Sequence, residues 1–162
     1  MHITVPGGQD IEYEGGGRLK DILVEQNKAL LKGFIAAKSG DARVDFHTEL
    51  QADARVELIS WDDPEAAWIY RHSLSHVLAQ AVLRLFPEAQ LAIGPAIEDG
   101  FYYDFDVEEP FTPEDLSKIE REMKRVIKQN HKFERVDVSR EEALEMIDAA
   151  PYKKEILDDL EE

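Results

Sequence analysis

The chain has 162 residues, 43% of them hydrophobic, which is enough for one ordinary domain or two small ones. A formal charge of −16 excludes a protein that grips nucleic acid through a generally basic surface, so any RNA contact must be local. The absence of cysteine removes disulfides, thiolate zinc sites and a cysteine nucleophile; with no apolar run of about 20 residues and no basic-then-apolar leader, a soluble, cytoplasmic chain without a membrane partner is expected.

Apolar and polar residues alternate from His2 to Val5 and from Gln9 to Glu14 around Pro6-Gly7-Gly8, which predicts a hairpin of two edge-like strands. Leu19, Ile22 and Leu23 at helical spacing predict a helix from Arg18 to Asn27. Short strands are expected from Gly33 to Lys38 and from Ala42 to Phe46, divided by Ser39-Gly40-Asp41, with another from Arg55 to Trp61. Two strands, a helix and two or three more strands fit a small α+β module over residues 1–62, with a helix across one sheet face. It offers no constellation of acid, base and nucleophile, which favours a binding or scaffolding role.

A second domain is expected over residues 63–162. Asp62-Asp63-Pro64 puts acidic residues and a proline where a helix begins, and helix formers continue to about Phe86. Leu74, Val77, Leu78, Ala81, Val82 and Leu85 share one apolar face, while His72 and His76 project together from the opposite face with Ile69, Ala79 and Leu83. Two imidazoles four residues apart can bind a metal or position water and a hydroxyl near neutral pH, and they can equally be a helix-face coincidence that satisfies buried polar groups. They are one or two ligands short of a usual zinc site, so no tightly bound zinc is expected.

Beyond this helix, apolar strands joined through Gly94-Pro95 and Glu98-Asp99-Gly100 lead into the aromatic run Phe101-Tyr102-Tyr103. A helix from Phe111 to Asn130, entered at Thr112-Pro113-Glu114, buries Leu116, Ile119, Met123 and Val126; a strand near Phe133 to Val138 and a helix from Ser139 follow. Lys118, Arg121, Arg125, Lys128 and Lys132 make a basic stripe at spacings of three and four that could touch an RNA backbone. Glu114, Glu120 and Glu122 lie at ion-pairing distance along the same helix, which favours a solvated face.

Taken together, Arg71-His72-Ser73-Leu74-Ser75-His76, Ala92-Ile93-Gly94-Pro95 and Gly100-Phe101-Tyr102-Tyr103-Asp104 closely resemble the editing domain of bacterial threonyl-tRNA synthetases, with related domains in alanyl-tRNA synthetases and free-standing deacylases. The element order of residues 1–62 resembles the TGS domain, a β-grasp fold found in the same synthetases, in stringent-response synthetases and in some GTPases. The resemblance implies an α+β chain with a TGS-like β-grasp domain followed by an editing, or second additional, domain. It implies a parent that charges threonine tRNA using ATP, with magnesium and one zinc ion serving an aminoacylation domain outside this chain. No cofactor is expected here. The parent is expected to dimerise through domains outside this chain, leaving the present chain monomeric.

In the family the editing pocket receives the acceptor end of threonine tRNA carrying serine and directs water onto the ester. The resemblance assigns His72 and His76 to the adenosine hydroxyls and the water, Lys153 of Pro151-Tyr152-Lys153-Lys154-Glu155 to the developing oxyanion, and Tyr103 to the pocket wall. Gly94, Pro95 and Asp104 fall among the substrate-binding positions. The family's editing domain continues into a segment with a cysteine and a further histidine, so an incomplete editing domain in an expression fragment is expected. Two alternatives stand beside this reading: a non-catalytic RNA-binding or regulatory module, and the amino-terminal fragment of a TGS-containing uridine-kinase-like protein.

Overall fold

A computed structural model describes residues 1–131, 136–147 and 151–159 and divides the chain into two units, Met1–Ile69 and Tyr70–Glu162. It is a mixed α+β structure, and each unit has its own apolar core.

In the first unit the elements run β1 (His2–Thr4), β2 (Ile11–Glu12), β3 (Gly17–Arg18), α1 (Leu19–Asn27), α2 (Leu30–Gly33), β4 (Phe34–Ser39), β5 (Ala42–Val44), β6 (Glu49–Leu50) and β7 (Arg55–Ser60). A mixed sheet has the order β2-β1-β7-β4-β5, and β3 pairs separately with β6. The expected opening hairpin is present, with Ile3 opposite Ile11, and Gly7 takes the left-handed conformation at its turn (φ +70°). Its first strand, however, is not an edge. Ile3 also faces Val56 of β7 in parallel register, so β1 is flanked on both sides. Alternation in a sequence shows which face of a strand is buried, not how many neighbours the strand has.

Leu19, Ile22 and Leu23 of α1 pack into one core with Ile3, Val5, Phe34, Ala37, Val56 and Leu58. Helix α3 (Pro64–Leu85) starts in this unit. Asp63 caps it by accepting the Glu65 N–H at 2.8 Å, and Pro64 fills the first helical position, where a missing N–H costs nothing. Glu65 binds the Lys38 ammonium at 2.7 Å and the Arg43 Nε–H at 3.0 Å, while the Arg43 guanidinium lies 4.6 Å above the Trp68 ring. Nearby, the Trp61 indole N–H donates to the Lys32 carbonyl at 3.1 Å.

The second unit holds the rest of α3, then β8 (Gln90–Leu91), β9 (Ala96–Ile97), β10 (Gly100–Phe101), β11 (Phe105–Asp106), α4 (Pro113–Gln129), α5 (Arg140–Met146) and α6 (Pro151–Asp159). The strands form two short antiparallel ladders, β9–β10 around Glu98-Asp99 and β8–β11 behind it. Ala81, Val82, Ala89 and Ile119 are the core, lined by Leu78, Leu85, Phe86, Phe105 and Phe111.

Helix α4 begins with a reciprocal capping box between Thr112 and Asp115 and ends at Asn130 in the left-handed conformation (φ 49°). A second capping box, Ser139 with Glu142, starts α5 where the sequence placed it. Three residues depart from their expected faces. Ala79, assigned to the histidine side of α3, is buried, Leu116, assigned to the buried side of α4, is 58% exposed, and Glu122, assigned to the solvated side of α4, is buried. The buried stripe of α3 is turned toward Ser75, and α4 buries Glu122 instead of Leu116 because Arg84 (3.2 Å) and Arg125 (2.9 Å) neutralise its carboxylate. Of the strand expected near Phe133 to Val138, Phe133 lies outside the described residues, and 136–138 are irregular. Among the described residues no helix is long and apolar enough to cross a membrane.

Candidate functional site

His72 and His76, one turn apart on α3, meet as predicted. Their Nε2 atoms are 3.2 Å apart and the rings stand edge to face, with centroids 4.7 Å apart. At that distance one Nε2 must carry a hydrogen and the other must present a lone pair, so the pair holds a proton between them. His76 keeps an edge open to water, but loss of hydration still holds its pKa below the ordinary 6.5, and the neighbouring His72 and Lys153 add to the depression. The neutral base is therefore the favoured form at pH 7.

Ser75, between the two histidines in sequence, is fully buried. Its hydroxyl lies 2.8 Å from the His72 carbonyl and 2.9 Å from the Gly94 carbonyl, and its single proton serves one of them at a time. This hydroxyl fastens the histidine helix to the loop that follows β8. The Gly94 backbone in turn lies against the flat of the Tyr103 ring: a Cβ built on Gly94 would fall 2.1 Å from Tyr103 Cδ2. Only glycine leaves room for that approach.

Backbone bonds from the Ala92 N–H to the Asp104 carbonyl (3.0 Å) and from the Asp104 N–H to the Ile93 carbonyl (2.9 Å) hold Tyr103 there. The Tyr103 ring stacks on Phe105 (centroids 4.8 Å apart), and burial raises its hydroxyl pKa. Arg71, one residue before the pair, donates through Nη1 to the Ile97 carbonyl at 3.2 Å and to the Glu98 carbonyl, fixing the tip of the β9–β10 hairpin.

The histidine pair, Gly94 and Tyr103 are thus joined in one region of the second unit, and the Lys153 charge acts on His76. Pro95 is half-buried and Asp104 engages through its backbone, with an exposed side chain. A cleft of about 310 Å³ leaves His76 along Val77 and Gln80 and is closed on its other side by Val126, Ile127, Asn130 and His131. The basic stripe is partly neutralised: Lys118 pairs with Asp115 at 2.9 Å and Arg125 with Glu122 at 2.9 Å. Arg121 and Lys128 make no ion pair among the described residues, and Lys132 lies outside them. Among the described residues no group of three or more His, Asp or Glu side chains could hold a metal ion.

Sequence reading missed the supports of this site, Ser75, Arg71 and the glycine–tyrosine contact. A serine amid the apolar residues of α3 is the one signal that could have drawn attention, because a buried hydroxyl requires a partner.

No family model matches the chain. Over 164 aligned positions, covering 100% of this chain and 26% of the relative, it is 46% identical to threonine–tRNA ligase of Clostridium tetani. Threonine–tRNA ligases of two Clostridium botulinum strains, Hall and Kyoto, are each 47% identical with the same coverage. The chain spans about a quarter of the length of the curated relatives it matches.

Proposed function

We propose that this chain, similar over its whole length to the amino-terminal 26% of threonine–tRNA ligases, is the corresponding region of such a ligase and contributes to hydrolysis of serine wrongly attached to threonine tRNA. The parent charges threonine tRNA using ATP. In it, Met1–Ile69 is a TGS-like β-grasp module, and the unit from Tyr70 onward carries the editing fold with its acceptor-end pocket. The full-length similarity carries the assignment, and the histidine pair beside Tyr103 and Lys153 supports the hydrolytic part of it.

A site that selects threonine gains only about 1 to 3 kcal/mol against serine from one missing methyl group, too little for accurate charging, and a second, hydrolytic site supplies the remainder. Water adds to the ester carbonyl carbon, the bond from that carbon to the ribose oxygen breaks, and the ribose oxygen leaves with a proton. A neutral His76 can take the proton from water while His72 holds the adenosine hydroxyls, and the pair can return a proton to the leaving oxygen. The Lys153 ammonium faces the charge that develops on the carbonyl oxygen.

The test is release of serine from serine-charged threonine tRNA by this chain and by His72→Ala/His76→Ala, with threonine-charged tRNA as control. Release above background by the unaltered chain and not by the double variant, with threonine spared, supports the assignment. Equal release by the double variant, or none from either protein, refutes hydrolysis by this chain.

A further inference from the structure

Lys153 makes no ion pair or hydrogen bond of its own among the described residues, so its helix must set its position. Among the described residues, side-chain hydrogen bonds attach that helix, α6, at two places. Toward its end, Arg140 of α5 donates to the Leu157 carbonyl at 3.1 Å and to the Asp158 carboxylate at 2.9 Å. Beside Lys153, the Tyr152 hydroxyl donates to Asp106 Oδ2 at 2.9 Å. Asp106 lies in β11, opposite Gln90 of β8, and α6 packs alongside β8. From that ladder the backbone bonds of Ala92, Ile93 and Asp104 lead to Gly94, whose carbonyl accepts from Ser75 in the histidine helix. An unbroken series of bonds therefore joins Tyr152 to α3.

We propose that Tyr152 is a positioning residue, whose bond to Asp106 seats α6 on the β8–β11 ladder and so brings the Lys153 ammonium to the His72–His76 pair. Its role in hydrolysis rests on the function proposed above; the placement itself does not. An aromatic residue suits the task. A phenol reaches across to the strand with few rotatable bonds, and a hydrogen bond to a carboxylate is stronger than one between neutral groups. The same bond raises the pKa of Tyr152, keeping its proton available to donate. Among the described residues, the titratable groups around His76 are His72 on its own helix, Lys153 on α6 and His131 just past α4. Asp106 and Tyr152 are not among the charges that shift His76, and an effect of either that passes through Lys153 is recognised by its disappearance in a Lys153→Met background.

The experiment is an NMR titration of the His76 imidazole in the whole chain and in four variants: Lys153→Met, Tyr152→Phe, Asp106→Ala and Tyr152→Phe/Lys153→Met. Lys153→Met is expected to move the midpoint upward, because a nearby cation no longer opposes protonation. Tyr152→Phe and Asp106→Ala are each expected to reproduce part of that rise. In the Lys153→Met background, Tyr152→Phe should add nothing. Asp106→Ala probes the same bond from its other end, so the outcome does not depend on one variant folding. A rise with Lys153→Met but none with Tyr152→Phe or Asp106→Ala would overturn the proposal. So would no rise with Lys153→Met, which would place the ammonium away from the pair. Failure of the unaltered chain to release serine would remove the function and leave this result standing.

Discussion

Replacing Gly94 by alanine is the smallest change that attacks the site's geometry without touching a titratable group. The new Cβ would lie 2.1 Å from Cδ2, 2.4 Å from Cε2 and 2.8 Å from Cγ of Tyr103. It meets the ring itself rather than the end of a flexible chain. To restore an ordinary carbon–carbon separation of about 3.6 Å the ring must retreat by about 1.5 Å. It stacks on Phe105, which meets Phe111 (5.8 Å between centroids), which meets Phe86 (5.1 Å), so the displacement runs into the core of the second unit.

Overpacking of this kind costs about 1 to 3 kcal/mol. The loss should be read from the urea midpoints of amide signals within 70–131. Truncating the obstacle supplies the control: in a Tyr103→Ala background, Gly94→Ala should cost close to nothing, giving a coupling of about 1 to 3 kcal/mol between two residues in contact. A Gly94→Ala protein within about 0.5 kcal/mol of the parent, with its Tyr103 signals in place, would refute the view that this glycine exists to admit the ring.

Two further outcomes follow from the same unit. Ser75→Ala leaves the Gly94 carbonyl without its side-chain donor and should cost about 1 to 2 kcal/mol in urea unfolding, together with loss of hydrogen-exchange protection in the loop after β8; an unchanged midpoint would count against the strap. At the start of α4, Asp115 is held at a pKa of about 2 by its bonds from Thr112 and from Lys118. A depressed acid contributes stability that is complete above its unfolded value, 3.8, and is lost as pH falls toward about 2. Thr112→Ala should therefore move the Asp115 titration upward in NMR and lower stability at neutral pH by about 1 kcal/mol, a loss that shrinks in acid; the same loss at pH 2 and pH 7 would contradict it.

What could be read from the residues divides along physical lines. Features written in neighbouring residues were legible. Asp63-Pro64 marks the start of α3, Thr112-Pro113 and Ser139 open their helices, and the spacing of His72 and His76 puts two imidazoles in contact. Features that depend on a distant partner were not. The parallel neighbour that takes β1 away from the edge lies at Val56, and the two-residue ladder of β3 with β6 has no periodicity of its own.

The face of α3 was misjudged at Ala79 because Ser75 is buried by its bond to Gly94, which periodicity counts as a polar position. Glu122 is similar, a charge that hydropathy sends to solvent and two arginines draw inward. At the candidate site the family resemblance supplied His72, His76, Lys153 and Tyr103 as names. The glycine against the ring and the tyrosine on the strand required coordinates.

The arginine laid over Trp68 and the indole bond of Trp61 also give the molecule a built-in optical label. The chain has two tryptophans, and both belong to Met1–Ile69, whereas Tyr70–Glu162 has tyrosines alone. Indole emission excited beyond the tyrosine band therefore reports the first unit by itself, with no engineered probe. Tyrosine emission in a protein lacking both indoles would read mainly the second, which holds four of the five tyrosines. Two samples, the chain itself and the indole-free protein, therefore follow the module that ends with Ile69 and the unit that carries the histidines by separate signals.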